Sequence, residues 1–143
     1  FAVYEMKCVP LRIAIGPKDI DTGVVEIARR DTKEKKSVSS EGIIEYIKIL
    51  LDDIQQNLYN RALAFRNANI TEVNSWDEFK KVIAEKGGFV AAHWDGTGET
   101  EDKIKEETKA TIRCIPLNNK VESGVCIYSG KPSKQRVLFA QAY

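Results

Sequence analysis

His93, Cys8, Cys114 and Cys126 are the side chains of this 143-residue chain whose types suit nucleophilic or metal chemistry, and their spacing argues against both. A thiol nucleophile needs a lowered pKa and a base within hydrogen-bond reach. Pairing His93 with Cys114 or Cys126 supplies the types, yet nothing in the spacing brings them together. The cysteines are far apart and form no C-x-x-C pair, so a secreted disulfide framework is not expected and a reducing cytoplasm fits better. The chain has no P-loop, no G-x-G-x-x-G and no G-x-S-x-G, the minimum parts of the common motif-bearing enzymes. No catalytic residue is assigned.

Binding chemistry is constrained by charge. The 22 Lys and Arg against 21 Asp and Glu leave a net charge of +1, too little for general polyanion binding. Residues 1–37 carry 8 basic and 6 acidic side chains, residues 71–108 carry 5 and 10, and residues 109–143 carry 6 and 1. Any nucleic-acid site is therefore focal. A hydrophobic content of 43% supports a real core in one ordinary domain or two small ones. No run approaches the roughly 20 apolar residues that span a bilayer, so a soluble protein without a membrane partner is expected. The chain opens on Phe1, with no initiator Met and no polar lead-in, the pattern of a chain that starts inside a longer protein.

Local patterns supply the framework. Residues 1–7 read as the tail of a helix, broken at Cys8-Val9-Pro10, and residues 11–15 alternate as a strand that ends at Gly16-Pro17. Asp21-Thr22-Gly23 is a turn signal, residues 24–29 make a second strand, and residues 31–34 a polar turn. Ser39 or Ser40 suits an N-cap, and Ile43, Ile47, Leu50, Ile54 and Leu58 share one face of a long helix reaching about Arg66. Residues 69–74 are a polar interruption. Ser75 then caps a helix with Trp76, Phe79 and Ile83 on one face, stopped by Gly87-Gly88. A buried strand over 89–94, a loop over 95–100, a charged helix over about 101–108, a strand over 111–115 and a pair of strands near 125–128 and 136–140 complete the reading. The pattern predicts an α/β protein of two units with a boundary near 69–75, the second unit α+β.

Taken alone, these patterns name no function. The run Glu5-Met6-Lys7-Cys8-Val9-Pro10-Leu11-Arg12-Ile13-Ala14-Ile15-Gly16-Pro17-Lys18-Asp19 resembles the second half of the anticodon-binding domain of class II prolyl-tRNA synthetases of the archaeal and eukaryote-like type. Arg29-Arg30-Asp31-Thr32, Gln55-Gln56-Asn57-Leu58-Tyr59, Arg61-Ala62-Leu63-Ala64-Phe65-Arg66, Ile104-Lys105-Glu106-Glu107-Thr108 and Phe139-Ala140-Gln141-Ala142-Tyr143 resemble the rest of that C-terminal region. The resemblance implies a partial anticodon-binding α/β domain over 1–70, with its long C-terminal helix, followed by a small α+β C-terminal domain over 71–143. It implies as partners the anticodon loop of tRNA(Pro) and an upstream catalytic domain, in a cytoplasmic homodimer that joins proline to tRNA(Pro) with ATP and Mg. The region by itself is expected to be inactive and to hold no cofactor.

Proline anticodons share two adjacent guanines, and sequence-specific RNA readers address splayed bases through their edges. A carboxylate matches the N1 and N2 donors of guanine and a cation matches O6 and N7. The resemblance places Glu5, Arg12, Lys18 and Asp19 around the anticodon, with Lys35 as a further basic contact. Read without it, Arg12 is the outward residue of a strand and Lys18-Asp19 an exposed turn. Many family members carry a zinc held by two cysteine pairs; the corresponding positions here are Asp95, Thr100, Cys126 and Ser129. Three thiolates are gone and hydroxyls are poor zinc ligands, so no tight zinc is expected, and hydrogen bonds and packing must hold the loop instead.

His93 reads as a packed, hydrogen-bonded residue rather than a replacement ligand. The phases of Phe65, Phe79, Phe89 and Phe139 favour core packing over base stacking, and the resemblance tucks the carboxylate of Tyr143 toward the catalytic domain. Two other functions stay open. One is a docking or dimerisation module without RNA affinity, driven by an unpaired sheet edge. The other is a folded chain that needs preceding strands to complete the platform under Arg12 and Lys18.

Overall fold

The computed structural model describes residues 2–141, whose elements divide into two units between Ala64 and Phe65. The first contains α1 (Ala2–Met6), β1 (Leu11–Ala14), α2 (Pro17–Thr22), β2 (Val24–Arg29), β3 (Lys35–Ser39) and most of α3 (Ile43–Ala68). Its three strands form an antiparallel sheet in the order β1-β2-β3. Val25 and Ile27 of β2 are buried with Leu50 and Ile54 of α3, and Leu11, Val38, Ile43 and Tyr46 pack around them. The predicted apolar face of α3 is thus used in its first half, whereas Leu58 is 44% exposed.

Two elements here escape the sequence patterns. Gly16-Pro17 ends β1 as expected, but it also opens α2. The Gly16 N–H donates to Asp19 Oδ2 at 2.7 Å and the Asp19 N–H to the Gly16 carbonyl at 3.1 Å, which closes a capping box. Pro17 supplies a pre-set φ at the first helical position, and Gly23, at φ 65°, ends the helix in the left-handed region. The second is β3. Ser39 is its last residue rather than a cap of α3, and the Ser40 hydroxyl donates to the Gly23 carbonyl at 3.0 Å.

The second unit contains β4 (Ile70–Glu72), α4 (Trp76–Glu85), β5 (Phe89–His93), α5 (Gly98–Thr108), β6 (Ala110–Cys114), β7 (Gly124–Val125), β8 (Pro132–Ser133) and β9 (Arg136–Gln141). A four-stranded sheet runs β4-β5-β9-β6, and β7 pairs only with β8. The strands expected near 125–128 and 136–140 are therefore not partners: β9 lies between β5 and β6. Part of the interruption at 69–74 is the parallel strand β4.

Ser75 caps α4 by accepting the Glu78 N–H at 3.3 Å, and Phe79 and Ile83 enter a core with Val90, Ile104, Val137 and Phe139. Trp76 stacks on Phe79 at 5.2 Å, and Phe79 meets Phe139 edge-on at 5.2 Å. The core expectation is corrected for two aromatics: Phe65 is 73% exposed and Phe89, where β5 begins, 38%. Tyr143 lies outside the described residues.

Candidate nucleic-acid interface

Strand register builds the first unit's cationic face. Arg12 pairs across β1 and β2 with Ala28, and Ala28 across β2 and β3 with Lys35, so the three form one row. Successive strand residues point to opposite faces, which puts this row opposite the face that buries Val25 and Ile27. Only the small Ala28 separates the two cations. Glu5, exposed on α1, brings Oε1 to 3.9 Å from Arg12 Nη1, and Lys35 Nζ stands 4.0 Å from Glu26 Oε1. Both separations are long for ion pairs, and the Lys35 pair, exposed on both sides, contributes little.

Glu5, Arg12 and Lys35 line a groove of about 900 Å³. Lys18 and Asp19 do not line it; they occupy the first turn of α2, where Asp19 commits one carboxylate oxygen to capping. The groove also takes Tyr4, Arg30, Lys33 and Arg61, none of which the sequence reading named as an RNA contact. A buried carboxylate ties the turn that carries Arg30 and Lys33 to the helix that carries Arg61. The Arg29 guanidinium forks onto Asp31, Nε to Oδ1 at 3.0 Å and Nη2 to Oδ2 at 2.8 Å, and Asn57 of α3 donates to Oδ2 at 2.7 Å. Arg29 Nη1 also reaches Asp53 at 2.6 Å, and Arg61 Nη1 reaches the Asp31 carbonyl at 3.3 Å.

The Asp31 side chain is 1% exposed. The hydrogen bond from Arg29 holds its carboxyl well below the usual carboxylate range, and the same bond raises the guanidinium. The β2–β3 turn is thereby fastened to α3, with Arg30 and Lys33 on the turn and Arg61 on the helix. Arg29 closes β2 and Arg30 opens the turn, so the two adjacent arginines fall in different local structure.

The His93 imidazole is buried; Nδ1 lies 3.1 Å from Ser133 Oγ and Nε2 3.6 Å from Glu122 Oε1. The Ser133 hydroxyl also donates to the Gln135 carbonyl at 2.9 Å, which ties the imidazole to the β8–β9 connection. Gly124 packs so close to the ring that a Cβ there would stand 2.3 Å from Nε2. Buried against Ser133, Glu122 and Gly124, His93 has the surroundings of a packing residue.

The four positions of the implied zinc site do come together, without the chemistry of one. Asp95 Oδ2 accepts the Thr100 and Ser129 hydroxyls at 2.8 and 2.6 Å, and Oδ1 accepts the Thr97 hydroxyl and N–H at 2.8 and 3.1 Å. Cys126, 2% exposed, accepts the Ser129 N–H on sulfur at 3.5 Å. A carboxylate has about four acceptor positions, and all are filled here, so this donor set does not fit zinc. Burial raises the Asp95 carboxyl, but the bonds from Ser129, Thr97 and Thr100 outweigh it and bring it down to about 2. Among the described residues, no group of three or more His, Cys, Asp or Glu is placed to hold a metal, and no helix is long and apolar enough to cross a membrane.

Comparison with known proteins places both parts of the chain. Residues 1–50, which include the Arg12–Ala28–Lys35 row, match the family described as "Anticodon binding domain". Residues 76–143 match "Prolyl-tRNA synthetase, C-terminal". Over all 143 residues the chain is 55% identical to a proline–tRNA ligase of Flavobacterium johnsoniae, and 59% identical to those of Amoebophilus asiaticus and Cytophaga hutchinsonii. It spans 29% of the length of each of these relatives. The chain thus matches the anticodon-binding and C-terminal region of bacterial prolyl-tRNA synthetases.

Proposed function

We propose that this chain reads the anticodon of tRNA(Pro) within a class II prolyl-tRNA synthetase, whose whole form joins proline to tRNA(Pro) with ATP and Mg, as a cytoplasmic homodimer. The observation that carries the reading is the row Arg12–Ala28–Lys35 beside Glu5, in one groove inside the segment that matches the anticodon-binding family. Residues 1–70 are the second half of the anticodon-binding domain and residues 71–143 the C-terminal domain in this reading. The archaeal and eukaryote-like type of the enzyme is part of the proposal, on the resemblance of residues 5–19 and the later segments that continue it.

Arg12 and Lys35 present cations to the O6 and N7 edge of a splayed guanine, and Glu5 presents a carboxylate to N1 and N2. Lys18 and Asp19 contact the anticodon from α2, where Asp19 divides its carboxylate between capping and recognition. Arg30, Lys33 and Arg61 serve the RNA backbone, whose phosphates need charge rather than base geometry.

A second reading rests on Ile13, Ile15 and Ile20, which are 42%, 60% and 72% exposed. In that reading they make an apolar docking face without RNA affinity. Binding of the full chain to a proline anticodon stem-loop, and to one with both guanines replaced, at two salt concentrations separates the two. Anticodon reading predicts preference for the guanines, weakening with salt, and a loss of about tenfold or more on Arg12→Ala. Salt-insensitive self-association with no guanine preference would support the docking face and overturn the assignment.

A further inference from the structure

We propose that Asp95, Thr97, Thr100 and Ser129 form a metal-free clasp that joins the β5–α5 loop to the β7–β8 turn, replacing a zinc site with its charge inverted. In a zinc site a central cation gathers electron-pair donors from two chain segments. Here an anion at one of the ligand positions gathers proton donors from the same two segments. Thr97 and Thr100 belong to the loop and the first turn of α5, Ser129 to the turn 34 residues from Asp95. The Ser129 contact, at 2.6 Å, has the length of a charge-assisted O–H···O⁻ bond.

Each oxygen of Asp95 holds two donors, so no lone pair is left for a metal. The clasp closes onto packed surroundings. Beside it the Cys126 N–H donates to the Lys131 carbonyl at 2.8 Å and the Gly130 N–H to the Cys126 carbonyl at 3.0 Å, which shapes the turn. Ile127, next in the chain, is part of the buried core. Loosening the clasp therefore frees a turn that anchors a core residue.

The inversion has a geometric corollary. Thr100 and Ser129 meet one oxygen of Asp95, and the Ser129 N–H reaches the Cys126 sulfur, so the backbone already holds these four positions as neighbours. Thiols at the three other positions would complete a four-sulfur cage.

The test uses the full chain in three measurements. The native protein, refolded with excess zinc and then desalted, is expected to retain no stoichiometric metal and to unfold at the same temperature with and without EDTA. Asp95→Asn, which keeps the shape but loses the charge and one acceptor oxygen, is expected to lower the unfolding temperature by roughly 3–6 °C, with no recovery on adding zinc. The triple variant Asp95→Cys, Thr100→Cys, Ser129→Cys is expected to bind one Co²⁺ with tetrahedral thiolate absorption and to become EDTA-sensitive. Stoichiometric zinc on the native chain overturns the proposal. So does an unchanged unfolding temperature for Asp95→Asn, or a folded triple variant that leaves Co²⁺ unbound. Should the triple variant not fold in metal-free buffer, its refolding on Co²⁺ addition supports the cage and failure to refold counts against it.

Discussion

Asp31 and Asp95 each fasten a turn to a second segment of chain, but the first carboxylate is held by a guanidinium and an amide, the second by hydroxyls and a backbone N–H. The difference shows in what each leaves behind. Arg29 lines the groove, yet Asp31 and Asp53 hold it on either side, so its charge is spent internally. Arg12, Arg30, Lys33 and Lys35 line the same groove without taking part in that hub. At Asp95 the partners are hydroxyls and a backbone N–H, so no cation is consumed. An ion-pair hub commits a cation to structure, whereas a hydroxyl hub commits none.

Removing the first hub gives the largest effect. Asp31→Ala leaves Arg29 half of its pairing and strips the β2–β3 turn of its tie to Asn57, and breaking a buried pair on one side costs about 3–5 kcal/mol. Hydrogen exchange is expected to accelerate at β2 amides such as Ile27, while β9 amides such as Phe139 keep their protection. Equal loss in both would show that the two hubs do not stabilise separate units.

Acid ranks next, because it strikes both hubs in sequence. Both carboxyls are depressed in the folded state, so their stabilisation is complete above the unfolded value of about 3.9 and is lost as pH falls toward each folded value. Asp95 sits at about 2 and Asp31 further below the usual range. Between pH 4 and 2 the β7–β8 turn is expected to lose exchange protection before the β2–β3 turn does. The reverse order would mean that hydroxyls hold a carboxylate more firmly than a guanidinium fork does.

The two hubs were unequally visible in the sequence. Asp95 stood at a position where the resemblance implied a thiolate, so a hydrogen-bonded substitute was legible from the loss of cysteine. Asp31 looked like an ordinary polar turn, because its partner Asn57 lies 26 residues away on a helix face that carried no period of its own. The same limit hid Arg30, Lys33 and Arg61. Long, strongly patterned elements were legible: β2, α4 with its Ser75 cap, and β5. The misses were α2, whose capping box lies between two residues read as strand end and turn; β3, an edge strand of two lysines and two serines around Val38; and β4, three residues long, too short to show alternation.

Trimming one arm from the hydroxyl hub gives a smaller loss. Ser129→Ala leaves Asp95 ionised with one acceptor position empty, and a bond to a charged group is worth about 1.5–3 kcal/mol. Denaturant unfolding of the full chain, followed by Trp94 fluorescence, reports it, since the Trp94 indole N–H donates to the Thr97 carbonyl in the same loop. A loss below about 0.5 kcal/mol would mean that water replaces the serine fully, and that the hub draws its strength from Thr97 and Thr100.

The matching cut on the ion-pair hub is Asp53→Ala, which removes the shortest bond in it, Arg29 Nη1 to Asp53 Oδ2 at 2.6 Å. Length is a poor guide here. Asp53 is 60% exposed, its charge is screened by water and salt, and exposed pairs contribute about 0.2–1 kcal/mol. The buried fork onto Asp31 stays intact, so the turn keeps its place and Arg29 keeps its orientation. The expected outcome is a loss of that small size in low salt, vanishing as salt rises, while the Ser129→Ala loss stays constant. A salt-independent loss from Asp53→Ala as large as that of Ser129→Ala would put the exposed arm on the same footing as the buried one and erase the distinction between the two hubs.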